Sequence, residues 1–167
     1  MRVGLHIGVT ASYARNLIGA DKFPKNFVAR RRDGTAPVKI DQVFCASLNM
    51  HAGGVNSMTK HDALSKMRFL LQGAYEGTYS AAVLRKSPEL YLTCVGGGVF
   101  FNPLEDVACA IANAHYKYLE ANLKGRCTGH LKKVVLPLFM PGCDFSIFVD
   151  AFARVGLPEP KVVRVRR

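Results

Sequence analysis

Gly96, Gly97 and Gly98 stand together in "LYLTCVGGGVFFNPLEDVACAIANAHYKYL", residues 90–119, between an apolar run and a helical pattern. A plain turn from strand to helix needs one glycine at most. Backbone N–H groups with no side chains over them, beside the start of a helix, suit an anion such as phosphate. The competing reading is a tight turn that meets no ligand. Val99, Phe100 and Phe101 follow directly. The two rings can cover a sugar or a base, or one of them can turn inward as core. A second polar, glycine-bearing stretch, "NMHAGGVNSMT" from residue 49, contains Asn49, His51, Gly53 and Gly54. Asn49 and His51 are its groups able to position a water or a ribose, and a solvated loop is the alternative. No nucleophile, base and orienting group stand out as a set. Glu76 reads as an exposed helix carboxylate or as a buried acid.

The elements that must place these residues follow from pattern. Leu90 to Val95 is a strand by its β-branched and aromatic content. Asn102 suits a helix cap, Pro103 the first helical position, and Glu105 the third, where its carboxylate reaches back to the cap. Leu104, Val107, Ala108, Ile111, Ala114 and Tyr118 then share one face. The glycines thus sit at the carboxyl end of a strand, where open α/β sheets bind ligands.

Further strands are expected over residues 2–9, at "NFVARRR" as a short edge strand before the turn "DGTAP", over 39–48, and over 130–140. A helix is expected from after Thr59 to about Lys86, with Leu64, Met67, Leu71, Ala74, Thr78 and Ala81 on one stripe. Gly73 and Gly77 lie on a neighbouring one and permit close packing against the sheet. Asp144 reads as the cap of a last helix with Phe145, Phe148, Val149 and Phe152 on its face, and "PKVVRVRR" as a charged edge strand. The order is that of an α/β domain with helices on a mixed sheet. If the strands leading into 49–57 and 96–102 are neighbours, the two loops flank one cleft.

With 167 residues and 49% hydrophobic content, the chain reads as one domain with a sizeable core. The early strand also permits a piece of a larger protein, its C-terminal part. No signal peptide is recognised and the apolar runs are short, so a soluble, intracellular protein, cytoplasmic or nuclear, is expected, with no membrane partner. Five cysteines without a C-x-x-C read as reduced core residues, not a disulfide framework. Cys127 and His130 alone have metal-ligand spacing, and neither a metal nor a cofactor is expected. The net charge of +11, concentrated at Arg30–Arg32, Arg85–Lys86, Lys132–Lys133 and the C-terminal "KVVRVRR", suits polyanions or is a solvated basic face.

A Walker loop is absent. A dinucleotide fingerprint fits Gly96 and Gly98 and fails at Phe101, where its third glycine belongs. "GGGVFFNP" before an amphipathic helix resembles instead the second ligand loop of macro domains, of the form G-[IV]-[FY]-G-x-P. Gly98, Val99, Phe100 and Pro103 match it, and Phe101 stands where glycine is usual. "QVFCASL", "LLQGAYEGTYSAAV" and "KKVVLPLFMPGCDFSIFVDAF" extend the resemblance over roughly residues 39 to 155. In the first loop, Asn49, Gly53 and Gly54 take places comparable to the family's N-A-A-N segment and glycine run. No equivalent of the family's Gly-Asp-Ile aspartate is visible.

The resemblance implies a three-layer α/β/α macro-like domain with a mixed sheet of about six strands. It also implies binding of ADP-ribose or a related phosphorylated nucleotide through Asn49, Gly53, Gly54 and Gly96 to Asn102, and, if there is catalysis, hydrolysis of ADP-ribose conjugates. The alternative is a degenerate relative with a closed cleft whose basic surface takes RNA or a protein partner. Poly(ADP-ribose), a polyanion like RNA, is a further partner that the basic charge suits. Phe101 separates the two: turned outward it leaves the cleft open, turned inward it fills it.

Overall fold

The structure, a computed structural model, describes residues 4–10, 39–51, 55, 57–127, 129–138 and 144–161. Gly53, Gly54, Cys143, Arg30–Arg32, the expected strand "NFVARRR" and residues 162–167 of the tail lie outside them. The chain divides into two compact units. In the smaller, β1 (Gly4–Thr10) pairs antiparallel with β2 (Lys39–Phe44). Its register slips by one residue between His6 and Val9.

The larger unit contains α1 (Lys60–Leu84), β3 (Glu89–Tyr91), α2 (Leu104–Leu123), β4 (Lys133–Val135) and α3 (Ser146–Arg154). Thr59 caps α1 by accepting the Asp62 N–H at 3.1 Å, so the helix starts where the sequence indicates. Its inner stripe is Ala63, Met67, Leu71, Ala74, Tyr75, Thr78, Tyr79 and Ala82, all buried. On α2, Val107, Ala108, Ile111, Ala114 and Tyr118 are buried, as their spacing demands. The small residues among them let α1 approach closely, while Leu90, Leu92, Phe148 and Ala151 complete the core.

Contacts between α1 and α2 rise in step along both helices, from Arg68 with Asp106 to Tyr79 with His115 and Tyr118. The two helices therefore run parallel, with both amino ends toward the glycine loop that leads into α2. In β3 and β4, joined by α2, Glu89, Leu90 and Tyr91 face Lys133, Val134 and Val135 in parallel. Parallel pairing of this kind needs a crossover, and α2 supplies it.

The mixed sheet of about six strands in three layers is not what the described residues form. They form four strands in two separate two-stranded sheets. The reason for the short β3 is local. Beyond Leu92, whose N–H still reaches Val135 O at 2.8 Å, the Tyr75 hydroxyl donates to Thr93 O at 2.8 Å and accepts the Val95 N–H at 3.0 Å. Those groups are withdrawn from any ladder. On the other side Pro137, two residues past β4, has no N–H to give. Cys45, Cys94, Cys109 and Cys127 form no disulfide among the described residues, and all are half-buried where core positions were expected. Among the described residues no helix is long and apolar enough to cross a membrane.

Candidate functional site

Tyr75 is the first positioning element. It is buried on α1, and its burial pushes the phenol well above its usual range, so it stays a neutral hydroxyl able to serve both Thr93 and Val95. That pair of bonds fixes the point where the chain leaves β3 for the glycines. The loop then closes on itself: the Gly97 N–H donates to Cys94 O at 3.1 Å, Phe101 N–H to Gly98 O at 3.0 Å and Asn102 N–H to Gly96 O at 3.0 Å.

Asn102 does not cap α2. The residue flanking the helix is Pro103, which provides no side-chain cap, and the expected capping box is not formed. Asn102 is instead 4% exposed, and its Nδ2 donates to Leu48 O at 2.7 Å and Phe100 O at 3.0 Å. A carboxamide offers two donors, and here both are spent on carbonyls from two loops. The Met50 N–H adds a third link, to Phe100 O at 2.8 Å. The two loops are therefore brought together, although the strands before them pair elsewhere, β2 with β1 and β3 with β4. Asn49 accepts the His51 N–H on Oδ1 at 3.0 Å and shapes the first loop.

The three glycines answer to different demands. Gly96 has φ +75°, and a Cβ there would lie 2.0 Å from Ser47 Oγ and 2.6 Å from Asn102 Oδ1. Its glycine is required by the fold alone. Both of those oxygens are buried without a hydrogen-bond partner among the described residues, a cost of about 1–3 kcal/mol each that packed interiors usually avoid. At Gly97 a Cβ would meet the Cys94 Cβ at 3.3 Å, a tight fit. Gly98 is exposed, its φ lies outside the left-handed region, and a Cβ would meet nothing within 4 Å. Nothing among the described residues asks for glycine there.

The N–H groups of Gly98, Val99 and Phe100 find no acceptor among the described residues. Three successive N–H groups, exposed at a loop tip beside a helix start, can take an anion. Phe101 follows with φ +54° and 64% exposure, and Phe100 is 36% exposed, so neither ring is core. A non-glycine residue in the left-handed region costs about 1–2 kcal/mol, and leaving a Phe in water forgoes about 1.5–3 kcal/mol of burial. The Phe101 ring lies 5.4 Å from that of His51, at 49°.

Glu76 is neither an isolated exposed carboxylate nor a lone buried acid. Burial works to raise its pKa, and the hydrogen bonds from Lys117 and Gln72 outweigh that and hold it below its usual value. Sequence reasoning missed Ser47 and Tyr75 and read Asn102 as a cap, because Tyr75 and Asn102 bond to backbone groups distant in sequence and Ser47 lies against Gly96 from 49 positions away. A shallow groove of about 380 Å³, lined by Leu48, Ser65, Lys66, Phe69 and Leu70, includes none of the glycine loop. Among the described residues no three His, Cys, Asp or Glu side chains gather to hold a metal.

No known family profile matches the chain, and no curated protein does. Among solved structures the chain is similar to two crystal forms of poly(ADP-ribose) glycohydrolase from Deinococcus radiodurans in complex with ADP-ribose. Both show 20% identity and a TM-score of 0.46, with 77% of this chain aligned to 48% of theirs. The chain spans about half the length of those structures.

Proposed function

We propose that the loop from Gly96 to Asn102 binds the diphosphate of ADP-ribose or a related phosphorylated nucleotide. The observation that carries this reading is Gly98. Among the described residues neither backbone conformation nor packing requires a glycine there, and its N–H is the first of three consecutive ones without a described acceptor. A close-approaching anion explains both at once, since it needs bare backbone and free donors. The outward Phe101 favours the open arrangement over the filled one. The likeness of "GGGVFFNP" to the pyrophosphate loop of macro domains agrees with the same ligand. Asn49 and His51, across the Met50 to Phe100 link, would line the other side. The proposal is for binding.

The test is titration calorimetry of the folded protein with ADP-ribose, ADP and AMP, together with its melting temperature. A ligand that binds only the native state stabilises it by RT ln(1 + [L]/Kd), about 2.7 kcal/mol at a hundredfold excess over Kd. ADP-ribose and ADP are expected to raise the melting temperature, and AMP, with a single phosphate, to raise it less. No shift with millimolar ADP-ribose would overturn the proposal.

A further inference from the structure

We infer that Phe101, with His51 beside it, is a stacking plate for the base of the nucleotide, an inference that rests on the diphosphate reading above. Phe101 is held in a backbone conformation that disfavours it and shows most of its ring to water. Residues kept so against both preferences cluster at ligand sites. The plate is assembled by the two loops, independently of the core. On one side, the Phe101 N–H donates to Gly98 O at 3.0 Å and fixes the turn that throws the ring outward. On the other, Asn49 Oδ1 holds the His51 N–H at 3.0 Å, and the Met50 to Phe100 bond of 2.8 Å sets the spacing between the loops. The outcome is two rings 5.4 Å apart at the edge of the N–H groups of Gly98 to Phe100.

That position decides what the plate takes. The nearest of those donors, on Phe100, is one peptide unit from Phe101. In a nucleotide, a single pentose separates phosphate from base. A group anchored by its phosphates on Gly98 to Phe100 can therefore lay its base against the neighbouring ring. An aromatic face offers stacking to any base, with no hydrogen-bond code. A bare phosphate gains little from it. Where macro-like loops have glycine, this chain has the ring, so the plate is an addition of this sequence. The class of ligand is thus a diphosphate bearing a nucleobase, preferred over base-free diphosphates and tolerant of which base is present.

The experiment compares ADP with inorganic pyrophosphate on the parent protein, on Phe101→Ala and on Phe101→Gly. Its second readout is the fluorescence of 1,N6-etheno-ADP, which stacking quenches. Phe101→Gly removes the ring and also the strain of φ +54°, so loss of binding in it does not come from a weakened fold. The parent should bind ADP more tightly than pyrophosphate and quench the etheno base. Both variants should lose about tenfold in affinity for ADP, keep that for pyrophosphate within about twofold, and abolish the quench. If the parent binds both ligands and the variants bind ADP as well as it does, the plate is wrong and the diphosphate site stands. Equal losses for ADP and pyrophosphate would show that Phe101 shapes the loop and does not stack. If the parent binds neither ligand, both the plate and the site fall.

Discussion

A methyl group added at Gly96 would sit 2.0 Å from Ser47 Oγ on a backbone with φ +75°, whereas at Gly98 it would meet nothing within 4 Å. Two alanine substitutions, two residues apart, should therefore separate fold from ligand. Gly96→Ala is expected to destabilise by about 2 kcal/mol or more, from left-handed strain and overlap. Gly98→Ala should leave stability unchanged or raise it by up to about 1 kcal/mol through the unfolded state. Its affinity for ADP-ribose should fall about tenfold, as the added methyl holds a phosphate off the N–H groups. Urea titration gives the first quantity and calorimetry the second. Loss of stability in Gly98→Ala with full binding would reverse the assignment. The sequence displays three equal glycines, and this division is invisible in it. What distinguishes them is Ser47, a residue 49 positions from Gly96, and an Asn102 whose side chain turns from its expected cap toward Leu48 and Phe100.

At the scale of elements, α1 and α2 were legible in their place and in most of their buried faces, though not in the cap of α2. Thr59, the 3.6-residue spacing and the apolar stripes are local signals, and local signals survive folding. The strands were not. Leu90 to Val95 has the composition of a longer strand, yet a side chain from another element decides where it stops. Tyr75 takes Thr93 O and the Val95 N–H out of the ladder. Tyr75→Phe keeps the ring and removes both bonds, leaving the Val95 N–H only its own contact with Thr93 O at 2.9 Å, so it should cost about 1–2 kcal/mol, the net worth of two hydrogen bonds. Hydrogen exchange at the amides of residues 95–97 should quicken more than at the middle of α2. Unchanged exchange there would show that the loop holds its shape without α1.

Across the whole larger unit, α1, α2 and α3 meet at His115, whose Nδ1 lies 2.9 Å from the Tyr79 hydroxyl and whose ring packs near Tyr118 and Phe152. Burial lowers the His115 pKa from its ordinary value. The unfolded chain, with an unperturbed imidazole near about 6.5, then binds the proton more readily than the native state. Stability is present in full above that value. It is lost as pH falls below about 6.5 and until the lower native pKa is passed, by at most about 1.4 kcal/mol per pH unit for one proton. Urea midpoints measured from pH 8 to pH 5 should follow this course in the parent and flatten in His115→Gln once its lower baseline is subtracted. An unchanged slope in that variant would assign the acid sensitivity to other groups.

The parallel course of α1 and α2 has an electrical consequence. In an antiparallel pair the peptide macrodipoles cancel, and in this pair they add, leaving a positive pole at the amino ends and a negative pole at the carboxyl ends. Side by side in that sense they also repel. Asp62 in the first turn of α1 and Glu105 and Asp106 in that of α2 temper the positive pole. Arg85 and Lys86 after α1, with Lys124 and Arg126 after α2, do the same for the negative one. Glycine loop and basic end are thus opposite poles of a single polarised body, and an anion settling at Gly98 would relieve part of the strain that the helix pair imposes on itself.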